Sequence, residues 1–285
     1  MTALDPRVNA WRPDLADVRL RGRVEATRFV EGRVREVATS VTALRRHPHA
    51  DAPRETELLA GERVAVFEEK NGWCWLQADA DGYVGYAEAA ALRIRGPVAT
   101  HKVCAVRTFV FAEPDIKSPV VTWLSLCSPV AVVGETARFA ELASGGFIAR
   151  AHLMAAGAVL PDPAATARLF LETPYLWGGR SSLGIDCSAL VQLALTAAGI
   201  SCPRDTDMQE KSLGEAVDPD GPLRRGDLAF WKGHVGILTD AATLLHANAT
   251  HMKVAEEPLE PAIRRIAETD GPLTSVRRLP GLKTA

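Results

Sequence analysis

Hydrophobic positions in the first 160 residues fall in short runs rich in β-branched side chains, and turn-forming residues separate these runs. One run, Val64-Ala65-Val66-Phe67, recurs 66 residues later as Val130-Ala131-Val132-Val133. The same offset relates Val37 to Val103, Pro53 to Pro119, Leu58 to Leu124, Trp73 to Phe139 and Leu76 to Leu142. Runs of this kind bounded by Gly, Pro, Asn or Asp are typical of strands joined by turns. The repeat predicts two small β-barrels in tandem, and the alternative is a chance similarity between two valine-rich segments.

A different pattern begins near residue 160, where Pro161-Asp162-Pro163 marks a domain boundary. Residues 164–172 predict a short helix that ends before Pro174, because proline disfavours helical geometry in the residue before it. Residues 186–198 carry apolar side chains at helical spacing, which predicts a second helix, and Gly199 supplies its stop. Strands are predicted over residues 228–231, 235–238 and 243–247. Residues 1–30 show no pattern that predicts their secondary structure or their domain.

The composition is that of an ordinary globular chain. Hydrophobic residues make up 47% and charged residues 24% of the 285 positions, and the formal net charge is −2. No basic excess indicates a nucleic-acid partner, and no window offers the roughly 18 apolar residues of a membrane span. The first 19 residues lack the apolar stretch of a secretory signal, and the five cysteines are scattered. We therefore expect a cytoplasmic protein that binds neither nucleic acid nor membrane, in an oligomeric state that the sequence leaves open.

Cys187 is the candidate nucleophile, because it lies one residue into the clearest predicted helix. A thiol at a helix N-terminus faces the positive end of the helix dipole, which favours the thiolate. Asp186 and Ser188 offer capping oxygens at the same place. The alternative is a buried cysteine that behaves as a small hydrophobic side chain.

Two histidines flank a predicted turn further along the chain. A hairpin centred on Asp240 would place His234 directly opposite His246, with their Cβ atoms about 4.5–5.5 Å apart. One imidazole can then act as a base while the other orients it. A change of one residue in the register would break this pairing. The alternative is a pair of histidines with purely structural contacts.

A metal site is a further alternative use of these side chains, since one cysteine and two histidines are competent zinc ligands. His251 or Asp227 would then supply the fourth ligand. No short ligand spacing of the kind found in zinc sites supports this arrangement. We therefore predict that the site needs neither a metal nor another cofactor.

The residues around Cys187 and the two histidines resemble the NlpC-type (NlpC/p60) cell-wall cysteine peptidases. The resemblance spans roughly residues 165–270, and its motifs occur in the family's order: Tyr175-Leu176-Trp177-Gly178-Gly179, Gly184-Ile185-Asp186-Cys187-Ser188, Arg204-Asp205-Thr206, Gly226-Asp227-Leu228, Gly233-His234-Val235-Gly236 and His246-Ala247. It implies a papain-like α+β fold with Cys187 as nucleophile, His234 as general base and His246 as the residue that orients the base. Ala189 stands where many members have glycine, which a helix accommodates easily.

The resemblance also implies roles for further residues. Tyr175 is similar to a tyrosine placed near the oxyanion, and Asp186 to an acid that binds the α-ammonium of the substrate, unless it only caps the helix. Ser188 and Thr206 are similar to residues that bind the substrate near the nucleophile, and Arg204 and Asp205 are implied to shape the same pocket. Trp177 is a further candidate for substrate binding. In one subgroup a tyrosine and a glutamate of an upstream barrel close the pocket, and the candidates here are Tyr83, Tyr86 and Glu57.

The expected protein is multidomain, with all-β barrels followed by the α+β peptidase domain. We predict a lead-in at residues 1–30, SH3-like barrels at 31–96 and 97–159, and the peptidase domain at 160–285. The subgroup with this organisation cleaves the γ-D-glutamyl to diamino-acid bond of murein peptides with an unblocked L-Ala, which suits peptide recycling. The alternatives are an exported enzyme that cuts intact peptidoglycan, an inactive wall-peptide-binding protein, and a relative that transfers acyl groups or hydrolyses other amides.

Overall fold

The structure is a computed structural model that describes residues 4–281, so three residues of the predicted lead-in and the last four of the chain lie outside it. The chain divides into two compact units, Met1–Ala156 and Gly157–Ala285. Their border lies close to residue 160, where the sequence pattern changes. Among the described residues, the helices are too short or too polar to cross a bilayer.

The lead-in forms a small sheet in the first unit. Its strands are β1 (Trp11–Arg12), β2 (Leu15–Asp17) and β3 (Arg28–Val30), and Val18–Leu20 form a 3-10 helix. Ala10 and Leu15 are buried with Phe67 and Trp75, which belong to the β-region that follows. The guanidinium of Arg12 lies 4.4 Å from the centre of the Trp75 ring. The lead-in is therefore packed against that region, through contacts that no local sequence pattern encodes.

Residues 33–155 contain two successive sets of short strands. The first set is β4 (Arg33–Val37), β5 (Val41–Arg45), β6 (Arg54–Leu59), β7 (Arg63–Lys70), β8 (Trp73–Ala78), β9 (Val84–Glu88) and β10 (Leu92–Ile94). The second set is β11 (His101–Val103), β12 (Arg107–Phe111), β13 (Val120–Ser125), β14 (Pro129–Val130), β15 (Val132–Glu135), β16 (Phe139–Leu142), β17 (Phe147–Ala149) and β18 (Leu153–Ala155). The 3-10 helices Ala89–Ala91 and Arg150–His152 occupy the same place in each set.

The two sets share one strand order. The first pairs as β10-β4-β7-β8-β9-β5-β6, and the second as β14-β11-β18 and β13-β12-β17-β16-β15. The orders coincide when β14 and β15 together take the place of β7. Repeated sequence positions are buried in both sets, as Val37 and Val103 are. The repeat in the sequence therefore coincides with a repeat of strand order.

The second unit contains the predicted helix and hairpin. Its elements are α1 (Pro163–Arg168), β19 (Arg180–Ser181), β20 (Gly184–Ile185), α2 (Cys187–Ala197), α3 (Thr206–Ser212), β21 (Glu215–Val217), β22 (Leu228–Trp231), β23 (His234–Leu238), β24 (Thr243–Asn248), β25 (Lys253–Pro258), α4 (Leu259–Ala267) and β26 (Ser275–Arg278). The main sheet has the antiparallel order β21-β26-β22-β23-β24-β25. The largely buried helix α2 packs on β23 and β24.

The predicted helix over residues 164–172 is too long, because α1 ends at Arg168. The chain then turns, and Glu172 adopts a left-handed conformation with φ of 69°. The backbone N–H of Glu172 donates to the oxygen of Val254 at 3.1 Å. The segment thus uses its backbone groups to join β25 instead of continuing the helix, a long-range contact that helical spacing does not reveal.

Candidate active site

Cys187 is the first residue of α2, and only 6% of it is exposed. Its Sγ lies 4.0 Å from the backbone oxygen of Gly233, and the backbone N–H of Val235 donates to it. Gly233 and Val235 flank His234 in the chain, so the sulfur lies beside the start of β23. The hydroxyl of Thr206, the first residue of α3, also bonds the sulfur.

The resting side chain of Cys187 is a thiol. Burial raises the pKa of this thiol to about 11, and the neighbouring Asp186 carboxylate acts in the same direction. The Val235 N–H, the Arg204 guanidinium and the Thr206 hydroxyl act in the opposite direction but do not offset the burial. The prediction that the helix N-terminus favours a thiolate is therefore wrong for the resting site. The dipole is outweighed because removing the sulfur from water disfavours its charged form.

The hairpin of β23 and β24 has a different register from the predicted one. Leu238 pairs with Leu244, whereas a turn centred on Asp240 would pair it with Ala242. The turn is longer because the Asp240 carboxylate accepts the backbone N–H of Ala242 at 2.8 Å. This local bond takes Ala242 into the turn and out of the strand.

The two histidines nevertheless meet. The shift moves the register by two residues, and an even shift keeps each side chain on its face of the sheet. The Nε2 atom of His234 lies 2.8 Å from Nδ1 of His246, and the ring centres are 5.0 Å apart. A Cβ atom at Gly236 would lie 3.1 Å from the Cβ of His246. The glycine therefore leaves the space in which His246 approaches His234.

Glu257 is a candidate residue that the sequence analysis missed. It lies on β25, and its Oε1 atom is 2.7 Å from Nε2 of the fully buried His246. The same oxygen accepts a hydrogen bond from Arg265 of α4. An anionic partner for the second histidine was a signal worth seeking in the strand that follows His246. The pattern Lys253-Val254-Ala255-Glu256-Glu257 does not predict a strand, because its only apolar residues are adjacent and not alternating.

The environment keeps both imidazoles neutral at neutral pH. Burial lowers the pKa of His234 to about 3, and a proton on His246 would act in the same direction. Burial also lowers the pKa of His246, although its bond to Glu257 opposes that effect. The hydrogen bond from His246 lowers the pKa of Glu257, which is therefore ionised. The resting site thus combines a thiol, two neutral imidazoles and a carboxylate.

Comparison with known proteins identifies two segments of the chain. Residues 172–266 match the NlpC/P60 family, and residues 44–92 match the bacterial dipeptidyl-peptidase Sh3 domain. The chain therefore contains an NlpC/P60 cysteine-peptidase domain and a bacterial dipeptidyl-peptidase SH3 domain. The peptidase is 28% identical to a protein named gamma-D-glutamyl-L-lysine dipeptidyl-peptidase from Bacillus subtilis, over 69% of this chain and 73% of that protein. It is 27% identical to dipeptidyl-peptidase 6 of Lysinibacillus sphaericus, over 70% of this chain and 82% of that protein.

A solved structure shares the fold of the NlpC/P60 peptidase. The crystal structure of an NlpC/P60 family protein from Bacillus cereus superposes with a TM-score of 0.73 at 19% identity, and the match covers 86% of this chain and 99% of that one. The fold therefore consists of an SH3-like domain and an NlpC/P60 catalytic domain, with mainly β-structure and few helices.

Asp186 of the peptidase is occupied by donors of the protein itself. Its Oδ1 atom accepts the backbone N–H of Ala189 at 2.8 Å, which caps α2. Arg204 binds the two carboxylate oxygens at 3.0 and 2.6 Å, and Gly178 N–H donates to Oδ2 at 3.0 Å. The geometry therefore supports the capping role and not the role of binding a substrate ammonium. Ser188 joins the same network, since its Oγ accepts from Arg204 at 2.7 Å.

The remaining candidates of the second unit are Tyr175, Trp177 and Asp205. The N–H of Tyr175 donates to the Met252 oxygen at 2.8 Å. Burial raises the pKa of Tyr175, so its phenol stays protonated and can donate a hydrogen bond. Trp177 is 72% exposed. Asp205 precedes Thr206 at the N-cap position of α3, where its side chain makes no capping bond.

Three candidates lie in the first unit. Tyr83 is 2% exposed and belongs to the hydrophobic core of the first β-region. Its implied role in closing a substrate pocket stays a prediction. The hydroxyl of Tyr86 accepts a hydrogen bond from Arg12 at 2.7 Å, and Glu57 pairs with Arg54 at 3.1 Å.

The zinc arrangement considered from the sequence is not assembled. Among the described residues, the group of three ligand atoms within 4.8 Å of one another comprises His246, His251 and Glu257. That group includes neither Cys187 nor Asp227. The Asp227 carboxylate instead accepts hydrogen bonds from Arg278 at 2.8 and 2.7 Å.

Proposed function

We propose that the peptidase hydrolyses the γ-D-glutamyl to diamino-acid bond of short murein peptides that begin with a free L-Ala, in the recycling of wall peptides in the cytoplasm. The arrangement of Cys187, His234 and His246 carries the proposed chemistry. The name of the Bacillus subtilis relative, which is similar across both units, supports the choice of bond. The diamino acid is lysine or diaminopimelate in this proposal.

The reaction begins with transfer of the thiol proton of Cys187 to His234. The sulfur attacks the γ-D-glutamyl carbonyl carbon, and the protonated phenol of Tyr175 donates to the developing oxyanion. The His234 imidazolium then protonates the leaving amine as the carbon–nitrogen bond breaks, which leaves a thioester on Cys187. A water molecule, deprotonated by His234, hydrolyses the thioester and restores the thiol.

Recognition of a free amine calls for a carboxylate near the nucleophile. Asp186 is occupied by Arg204 and by the helix cap. We assign this role to Asp205 because of its position: it directly precedes Thr206, the residue whose hydroxyl bonds the Cys187 sulfur. A protonated α-amine and a carboxylate form a charge-assisted hydrogen bond, so an acetylated substrate would lose this interaction.

The proposal also extends to the organisation of the chain. Residues 97–159 form a second SH3-like barrel in this proposal, because they repeat the strand order of residues 31–96, which include the matched SH3 segment. Residues 160–285 form the papain-like catalytic domain. The roles implied for Tyr86 and Glu57 in a substrate pocket stay predictions.

The decisive test is cleavage of L-Ala-γ-D-Glu-diaminopimelate by the purified full chain, with the lysine tripeptide in parallel. We expect release of the free diamino acid, and we expect none from the Cys187→Ala variant or from the N-acetylated tripeptide. Digestion of intact sacculi without cleavage of the free tripeptide would favour an exported wall hydrolase instead. Binding of the tripeptide without any product would favour an inactive binding protein.

A further inference from the structure

We propose that Glu257 is a positioning residue of the active site, whose carboxylate sets the tautomers of His246 and His234. This arrangement leaves Nδ1 of His234 as the nitrogen that takes the proton of Cys187. The transfer of the Cys187 proton to His234 rests on the proposed function. The tautomers of the two histidines are a property of the protein without substrate. Arg265 donates a hydrogen bond to Glu257 and helps to position its carboxylate.

The tautomers follow from the order of the contacts. An ionised carboxylate only accepts hydrogen bonds, so the contact of 2.7 Å between Glu257 and Nε2 of His246 requires a proton on that nitrogen. A neutral His246 then has a lone pair on Nδ1. The contact of 2.8 Å with His234 therefore requires a proton on Nε2 of His234. A neutral His234 carries one proton, so its Nδ1 is the basic nitrogen.

Arg265 keeps the carboxylate in place and ionised. Its NH2 group donates to Oε1 of Glu257, and its NH1 group donates at 2.8 Å to the hydroxyl of Thr250. Thr250 lies between β24 and β25, so the arginine of α4 connects the carboxylate to the end of this hairpin. A single guanidinium bound at two points restricts the rotation of the Glu257 side chain.

The same contacts stabilise the charge that forms during the reaction. When Cys187 gives its proton to Nδ1 of His234, the new imidazolium donates from Nε2 to His246. The negative charge of Glu257 lies directly beyond His246 and favours this state. The charged and titratable groups that act on the two histidines are His251, Arg265 and Glu257 itself, and the Cys187 thiol lies beside Gly233, the residue before His234. Arg265 opposes the imidazolium, so Glu257 is needed to offset it.

The test uses the full chain and the variant Glu257→Gln, because an amide can either donate or accept and no longer dictates the tautomers. The matched control is Glu256→Gln on the same strand, where the carboxylate pairs with Arg168 at 3.1 Å and not with a histidine. Long-range proton–nitrogen spectra of the substrate-free protein should show both histidines protonated on Nε2 in the wild type and in the control. Glu257→Gln should give a mixture, and the variants His234→Gln and His246→Gln assign the signals.

Activity supplies the second readout. We expect Glu257→Gln to lower kcat by about tenfold or more, to change KM little, and to alter the pH dependence of kcat. Glu257→Asp should recover part of kcat, since it retains the acceptor-only group. Wild-type tautomers and an unchanged pH profile in Glu257→Gln would overturn the proposal. If the wild type cleaves no tripeptide, the proposed substrate fails, and the spectra still decide the role of Glu257.

Discussion

The Nε2 atom of His234 lies 2.8 Å from Nδ1 of His246, although the two histidines are not level with each other in their hairpin. The register that pairs Leu238 with Leu244 brings His246 level with Gly236. The contact between the imidazoles is therefore diagonal, along one face of the two strands. Gly236 permits it, because a larger residue would fill the space beside His246.

Substitution Gly236→Ala tests this dependence. The added Cβ would lie 2.6 Å from Cδ1 of Leu244 and 3.1 Å from Cβ of His246, so both side chains must shift. We expect the free energy of unfolding to fall by about 1–3 kcal/mol, as for other overpacked sites, and kcat to fall as His246 moves away from His234. Urea unfolding and tripeptide cleavage measure the two effects. Gly157→Ala is the control, because a Cβ there meets nothing within 4 Å; equal results for both variants would contradict the prediction.

The stability of the fold should depend on pH through His234. Its folded-state pKa is lowered to about 3, whereas the unfolded chain has the ordinary histidine value near 6.5. The unfolded state therefore binds a proton between these values and the folded state does not. The stabilisation is complete above about pH 6.5 and is lost as the pH falls toward 3, by up to about 1.4 kcal/mol per pH unit.

Urea unfolding of the wild type and of His234→Gln between pH 7 and pH 4 measures this effect. The variant has no titrating group at this position, so its unfolding midpoint should fall less steeply with acid. Residual dependence is expected in the variant, because burial also lowers the pKa of His246. Parallel curves for the two proteins would mean that His234 is protonated in the folded state.

Local sequence patterns predicted the elements that carry the chemistry. Helix α2 begins at Cys187 because Asp186 caps it, and both signals are adjacent in the sequence. The strands that hold His234 and His246 were likewise visible as apolar runs. Their register was not, because it depends on the bond between the Asp240 side chain and the N–H of Ala242, which competes with a shorter turn. The two histidines still lie on the same face of the sheet, because the predicted register differs from the observed one by an even number of residues.

The features that the sequence did not predict depend on contacts between distant segments. Glu257 is a site residue because β25 pairs with β24 and places its carboxylate against His246. The thiol of Cys187 has a raised pKa because strands and helices from several parts of the chain exclude water from it. The lead-in is ordered because Ala10 and Leu15 pack against Phe67 and Trp75. Neither a capping residue nor the spacing of apolar residues predicts burial that arises from contacts between distant segments.

Removing one partner from the buried pair of Arg204 and Asp186 should strongly destabilise the second unit. Arg204 is 2% exposed, and its guanidinium donates to both oxygens of Asp186. Arg204→Met leaves the carboxylate buried without its partner, which costs about 3–5 kcal/mol in comparable pairs. The exposed pair of Arg264 with Glu260 provides the control, since Arg264→Met should cost less than about 1 kcal/mol. Urea unfolding measures both, and a loss for Arg204→Met as small as that of the control would contradict the assignment.

Asp205 is expected to recognise the free amine of the substrate. Asp205→Asn removes the negative charge but keeps the size of the side chain, so it should raise KM for the free tripeptide by about tenfold or more and leave kcat closer to the wild-type value. Cleavage of the N-acetylated tripeptide, already weak in the wild type, should change little. Asp207→Asn on the same helix is the control, because that carboxylate pairs with Lys211 at 3.3 Å on the surface.

The comparison of free and acetylated substrates separates recognition from folding. A variant that merely unfolds would lose activity toward both peptides in proportion, whereas loss of the amine contact reduces the preference for the free peptide. The ratio of kcat/KM between the two peptides is therefore the quantity to follow. If Asp205→Asn keeps the wild-type ratio while its unfolding midpoint is unchanged, another group binds the ammonium and the assignment of Asp205 is wrong.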